Sequence, residues 1–222
     1  MLTLHYVALQ HFREPERALS RRRHSQSSKP SESRRRHTER GVFMENRAVK
    51  SELMFKGKVF DVYRDDIALP NGKTAPREYV LRGHAAAVIA EDADGKIFFV
   101  RQYRHAARDL CLEIPAGMLE PDEDPAVAAA RELEEEIGYK SLEPLKFLVR
   151  ITPSVGICTE QISIYIAGKL EKTQQHLDED EFVEIEKYTL EEAINLVYEG
   201  KIYDSKTVAA VFMYKAYLED KK

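Results

Sequence analysis

GMLEPDEDPAVAAARELEEEIGY, residues 117–139, is the stretch whose reading decides the fold. It sets Gly117, Glu123, Arg131, Glu132, Glu135, Glu136 and Gly138 in the spacing G-x5-E-x7-R-E-L-x-E-E-x-G. At average residue frequencies, chance gives that set in a chain this long with odds of about 10^-5. Asp124 followed by Pro125 reads as a helix start: aspartate accepts free backbone N–H groups, and proline loses no bond at the first position. Strong helix formers follow, and Gly138 suits the left-handed residue just past the end. A helix over 125–137 is therefore predicted. Val127, Ala130, Leu133 and Ile137 recur at three- and four-residue steps and are expected to face the core. Glu132 and Glu136 are expected on the opposite face, with Glu135 beside them. Crowded carboxylates repel unless a cation sits among them, and hard oxygen ligands suit Mg2+ or Mn2+ rather than zinc. Arg131 is one turn away and is predicted to pair with Glu123, pinning loop to helix. A Glu-rich helix is more often a solvated face. Here the two glycines, Glu123 and Arg131 at these distances favour a metal site.

The chain has 222 residues, enough for one domain with a core, and 43% of them are hydrophobic. No apolar run approaches a membrane span, so no membrane partner is expected. Cys111 and Cys158 lie on apolar segments and read as reduced packing residues of a cytoplasmic protein. No Cys/His cluster suggests zinc, and His84 and His105 read as incidental. Net charge is −4, but residues 1–40 hold ten Lys/Arg and four Asp/Glu, a net +6, so the remainder sums to −4 − 6 = −10. A body that acidic argues against nucleic acid as a partner and fits a site that recruits cations.

Within the first forty residues, RRRHSQSSKPSESRRRH is rich in Arg and Ser and cannot bury enough apolar surface to fold. A nucleic-acid arm and a transit peptide are two readings of such a segment. A third is preferred. MENRAVKSELMFKGKVFDVY, from Met44, has the form of a natural start, and Glu39-Arg40-Gly41 encoded as GAG-AGG-GGN would resemble a bacterial ribosome-binding site. Residues 1–43 are then an over-extended reading of the gene, leaving 222 − 43 = 179 residues.

Residues 44–82 read as a small antiparallel strand unit with a turn at Asn71-Gly72. Residues 84–91 and 96–103 read as strands joined by a turn at Asp92–Gly95. Leu112 to Pro115 leads into the quoted stretch. Further strands are predicted at 143–152, 161–167 and 183–188. Thr189 opens a capping box before a helix at 190–199, and 205–218 reads as a final amphipathic helix. Strands beside two or three helices give an α/β sandwich with a mixed sheet over 83–222.

The quoted stretch resembles the Nudix box at every defining position, with Tyr139 where the family usually has an aliphatic residue. The resemblance implies an α/β/α sandwich of Nudix type and a hydrolase that cleaves a pyrophosphate bond with Mg2+. Over 45–220 the chain is similar to the ADP-ribose pyrophosphatase branch, carried by PNGKTAPREYV (70–80), FFVRQYRHA (98–106), LEIPAGMLE (112–120), ITPSVGICTEQ (151–161) and HLDEDEFVEIEKYTLEEA (176–193). A proline fifteen residues past the box accompanies ADP-ribose activity in that family, and Pro153 stands there. The next loop, TPSVGICTE, departs from the family's SPGxxDE in spacing.

By that resemblance, Glu132, Glu135, Glu136, Glu181 and the Ala116 carbonyl hold the metal, and Glu179 is the general base ahead of Asp178 or Glu181. Arg77, Glu78, Arg101 and Arg104 contact the substrate. Gly117, Glu123, Arg131 and Gly138 shape the motif. The reaction implied is ADP-ribose plus water giving AMP and ribose 5-phosphate, by a homodimer joined through the N-terminal strands. The physics is consistent: cations must neutralise a diphosphate before water attacks, and a carboxylate must take the water's proton. GDP-mannose, NADH or FAD as substrate, and a silent module that senses ADP-ribose, stay open as rivals.

Overall fold

The computed structural model describes residues 47–177, 179 and 181–221. The basic segment 1–43 and its readings lie outside the described residues. The first sheet is an antiparallel meander of β1 (Ala48–Lys56), β2 (Asp61–Ala68) and β3 (Thr74–Leu81). Its β2–β3 turn is the one anticipated: Gly72 has φ 77° and donates its N–H to Leu69 O at 3.0 Å. That conformation is open to glycine at no steric cost.

Alternation then sets the layers. β4 (Ala85–Ile89) lies parallel to β10 (Ile162–Ile166), which pairs antiparallel with β9 (Lys146–Ile151), and β7 (Ala116–Met118) closes the other edge, giving the order β7-β4-β10-β9. A second sheet has the order β12-β5-β6, from β5 (Lys96–Arg104), β6 (Asp109–Glu113) and β12 (Val183–Thr189). β8 (Tyr139–Ser141) and β11 (Leu170–Lys172) form a short pair.

Successive strand residues point to opposite faces. Ala85, Ala87, Ile89, Ile97 and Phe99 join one core with Ala193 of α2 (Leu190–Tyr198) and Ala210, Val211 and Tyr214 of α3 (Ser205–Glu219). Ala86, Val88, Ala90, Phe98 and Val100 join a second core with Ala128, Ala129, Leu133 and Ile137 of α1 (Pro125–Ile137). Helices therefore cover both faces, which is the α/β/α sandwich expected.

α1 begins and ends as predicted. The Asp124 side chain accepts from the Ala126 N–H at 2.7 Å, and Gly138 is left-handed at φ 69°. One expectation fails. Val127 is 58% exposed, and the buried stripe is Ala128, Ala129, Glu132, Leu133, Glu136 and Ile137. The sheet meets the helix one residue further round than the apolar spacing suggests. Glu132 and Glu136 thus lie in the buried stripe rather than opposite it. The capping box at Thr189–Glu192 forms, and Asp204 caps α3. Short β7, β8 and β11 were not anticipated, because three residues carry no readable period.

Candidate active site

Gly117 on β7 faces α1 so closely that a Cβ there would stand 2.0 Å from Glu132 Oε1. The site needs glycine because a carboxylate occupies the side chain's place. From the helix, Arg131 reaches back over the preceding loop. Its Nε and Nη2 donate to Glu123 at 3.1 and 3.0 Å, and Nη2 also donates to Met118 O at 3.1 Å. The predicted pin between loop and helix is present. Nη1 of the same arginine donates to Glu132 Oε1 at 2.6 Å and Glu135 Oε2 at 2.8 Å. Part of the positive charge that the carboxylates demand is thus supplied by Arg131.

Glu136 has no ion pair among the described residues; its Oε2 accepts from the Ala116 N–H at 3.0 Å. Burial pushes the Glu136 carboxyl up to about 8, with Glu132 and Glu181 adding to the rise against the Ala116 N–H and Arg104. Burial likewise lifts Glu132 to about 7, Arg131 opposing and Glu135 and Glu181 reinforcing. A buried carboxylate without a partner favours its neutral form. Among the described residues, no three Asp, Glu, His or Cys side chains are drawn together tightly enough to enclose a metal ion. The donors are nonetheless the right kind: hard oxygens, two of them on buried carboxyls that a divalent cation would hold ionised.

The second acidic segment comes in from the far end of α1. Thr173 N–H reaches Gly138 O at 2.8 Å and His176 N–H reaches Glu135 O at 3.0 Å. The chain then carries Glu179, which is exposed, and Glu181, close enough to raise the pKa of both Glu132 and Glu136. Asp178, a further candidate base beside Glu181, lies outside the described residues.

The four proposed substrate contacts sort into two groups. Arg104 on β5 grips Glu113 of β6 with two bonds of 2.8 Å and acts electrostatically on Glu136. Arg101 is bound to Glu186, whose other oxygen takes the Tyr188 hydroxyl. Both arginines therefore have carboxylate partners. Arg77 and Glu78 sit exposed on β3, where Arg77 Nη1 donates to the Pro76 carbonyl at 2.9 Å; among the described residues neither side chain is hydrogen-bonded or ion-paired to the carboxylates of α1. β3 is instead tied to the loop after Pro153. Val80 N–H donates to Ile157 O at 2.7 Å and Thr159 N–H to Val80 O at 3.0 Å.

Sequence reading missed Glu113 and Lys206. Glu113 is 3% exposed and Lys206 8%, and they pair directly, with Lys206 also 3.0 Å from Asp204. Burial alone would raise Glu113; Arg104 and Lys206 overcome it and hold the carboxyl at about 2. The only signal was a glutamate inside the apolar run Leu112–Ile114. Its partner lies on α3, beyond the reach of any local pattern.

A carboxylate-bearing helix, locked by one arginine to the loop before it and set against a mixed sheet, defines a Nudix-type hydrolase fold. Comparison with known proteins agrees. The NUDIX domain model matches residues 81–211. The chain is 46% identical over 173 residues to a methanol dehydrogenase activator of Bacillus methanolicus, covering 77% of this chain and 93% of that one. It is 42% identical over 170 residues to the ADP-ribose pyrophosphatase of Bacillus subtilis, covering 76% and 91%. For the ADP-ribose pyrophosphatase of Mycobacterium tuberculosis the values are 33% over 167 residues, 73% and 80%. A crystal structure of an ADP compounds hydrolase superposes with a TM-score of 0.72 at 22% identity, covering 79% of this chain and 95% of that one, a likeness of fold. The chain belongs to the Nudix family and is a hydrolase of that family.

Proposed function

We propose that this enzyme hydrolyses the pyrophosphate bond of ADP-ribose to AMP and ribose 5-phosphate, using Mg2+ or Mn2+. The observation that carries the reading is the pair of buried carboxyls, Glu132 and Glu136, raised to about 7 and 8. Folding holds them at a cost, and a bound cation removes that cost. The substrate class rests on the two ADP-ribose pyrophosphatases among the relatives and on Pro153.

Glu132, Glu135, Glu136, Glu181 and the Ala116 carbonyl would hold the metal, which when bound would polarise phosphorus and lower the pKa of water. Glu135 and Glu132 leave Arg131 to do so, while Glu123 retains the arginine. Glu179 accepts the proton of the attacking water. Arg104, fixed by Glu113, presents a positive charge beside Glu136 to the diphosphate. The bond from phosphorus to the bridging oxygen breaks, and one phosphate leaves as its monoester.

A homodimer completes the site. The strand unit within 44–82 and the catalytic unit 83–222 then have separate tasks. Val49, Leu53, Met54 and Phe55 of β1 are all exposed, an apolar surface that a second copy would cover. Arg77 and Glu78 serve the partner's substrate. Deleting 50–82 is expected to abolish dimerisation and activity together; a monomeric truncation with full activity would refute this.

The deciding assay is release of nucleoside monophosphate by the full chain with Mg2+, AMP from ADP-ribose, NADH or FAD and GMP from GDP-mannose, each offered in turn, with Glu136→Gln as control. Preference for ADP-ribose, lost in the variant, supports substrate and metal site together. Preference for another dinucleotide keeps the chemistry and discards the substrate. Tight ADP-ribose binding without turnover discards hydrolysis in favour of sensing.

A further inference from the structure

Helices leave their last carbonyls without partners inside the helix. At the end of α1 three such oxygens are taken by one short run of chain. Two bonds, from Thr173 N–H to Gly138 O and from His176 N–H to Glu135 O, are backbone bonds that any residue makes. The third is residue-specific: Gln175 Nε2 donates to Glu136 O at 2.6 Å. Gln175 is half-buried while Gln174 and His176 on either side are exposed, so this amide alone turns inward. Gly138 permits the approach, since a Cβ there would stand 3.0 Å from Gln175 N.

The carbonyl that Gln175 holds belongs to the residue whose carboxyl lies buried in the site. Six residues further along stands Glu181. We infer that Gln175 is a positioning residue. Its amide sets the register between the helix carrying Glu132 and Glu136 and the stretch carrying Glu181. The inference rests on that stretch's proposed place in the reaction.

The test is a double-mutant cycle in the full chain. Gln175→Met keeps the volume and removes the donor. It is expected to lower kcat about tenfold, leave KM within about twofold, and leave the thermal midpoint within a few degrees. In a chain already carrying Glu181→Gln, the same substitution is expected to change kcat less than about twofold, because the carboxylate it positions is gone. Gln175→Lys, which restores a donor, is expected to recover part of the loss. Equal losses from Gln175→Met in both backgrounds, or a loss tracked by an equal fall in stability, would overturn the inference. Wild-type kcat in Gln175→Met overturns it too. If Glu181→Gln alone has wild-type kcat, that stretch's part in the reaction fails, and the inference fails with it for that separate reason.

Discussion

Replacing Glu136 by glutamine should stabilise the metal-free protein while destroying its activity. The carboxyl's pKa rises from an ordinary 4.5 to about 8 on folding. A raised carboxyl pKa means that the folded state binds the proton more tightly than the unfolded state does. Stability is therefore lost as pH climbs from the unfolded value to the folded one, and the loss is complete above about 8. Between pH 6 and pH 9 this single group costs about 3 kcal/mol. At roughly 2–4 °C per kcal/mol for a protein of this size, the midpoint falls by about 6–12 °C. Glutamine cannot ionise, and its oxygen still accepts the Ala116 N–H. Glu132, lifted to about 7, adds a slope of the same sign in both proteins, so the difference between them is the readout. The assay is thermal unfolding of wild type and Glu136→Gln in a chelator, from pH 6 to pH 9. Glu136→Gln should be the more stable at every pH, with the gap widening by about 3 kcal/mol. Adding Mg2+ should close the gap by raising wild type alone. A gap that stays constant with pH, or a variant less stable than wild type at pH 9, would refute the reasoning.

Gly117→Ala puts a methyl where the Glu132 carboxylate lies; the fold should survive by circular dichroism, while kcat falls by about 100-fold or more as Glu132 swings aside. Glu113 behaves oppositely to Glu136: its carboxyl is held at about 2, so its stabilisation is present above 4.5 and lost as pH falls toward 2. Glu113→Gln, which takes the buried carboxylate from Arg104 and leaves Lys206 with Asp204 alone, should cost about 3–5 kcal/mol in urea unfolding at pH 7, and less at pH 2. Leu133→Ala, at a fully buried position under the sheet, should cost about 2–5 kcal/mol by the same measurement.

Much of the site was legible because its parts lie close in sequence. The span from Gly117 to Gly138 fixes its own start at Asp124, its own end and the Arg131–Glu123 pin through bonds between near neighbours. Such contacts follow from local spacing, and spacing is what a sequence displays. The turns at Asn71-Gly72 and Asp92–Gly95 and the Thr189 cap were readable for the same reason.

What only the tertiary structure decided is which face of α1 meets the sheet. The three- and four-residue rhythm of Val127, Ala130, Leu133 and Ile137 is compatible with more than one rotation of the helix. Small Ala128 and Ala129 pack beneath the strands and leave Val127 outside. That rotation carries Glu132 and Glu136 into the buried stripe, and burial is the first cause of their raised pKa. The sequence by itself determined that the carboxylates are present and correctly spaced. Their desolvation, the pairing of Glu113 with Lys206, and the clasp of Gln175 on Glu136 come from segments dozens of residues apart, which only the folded chain brings together.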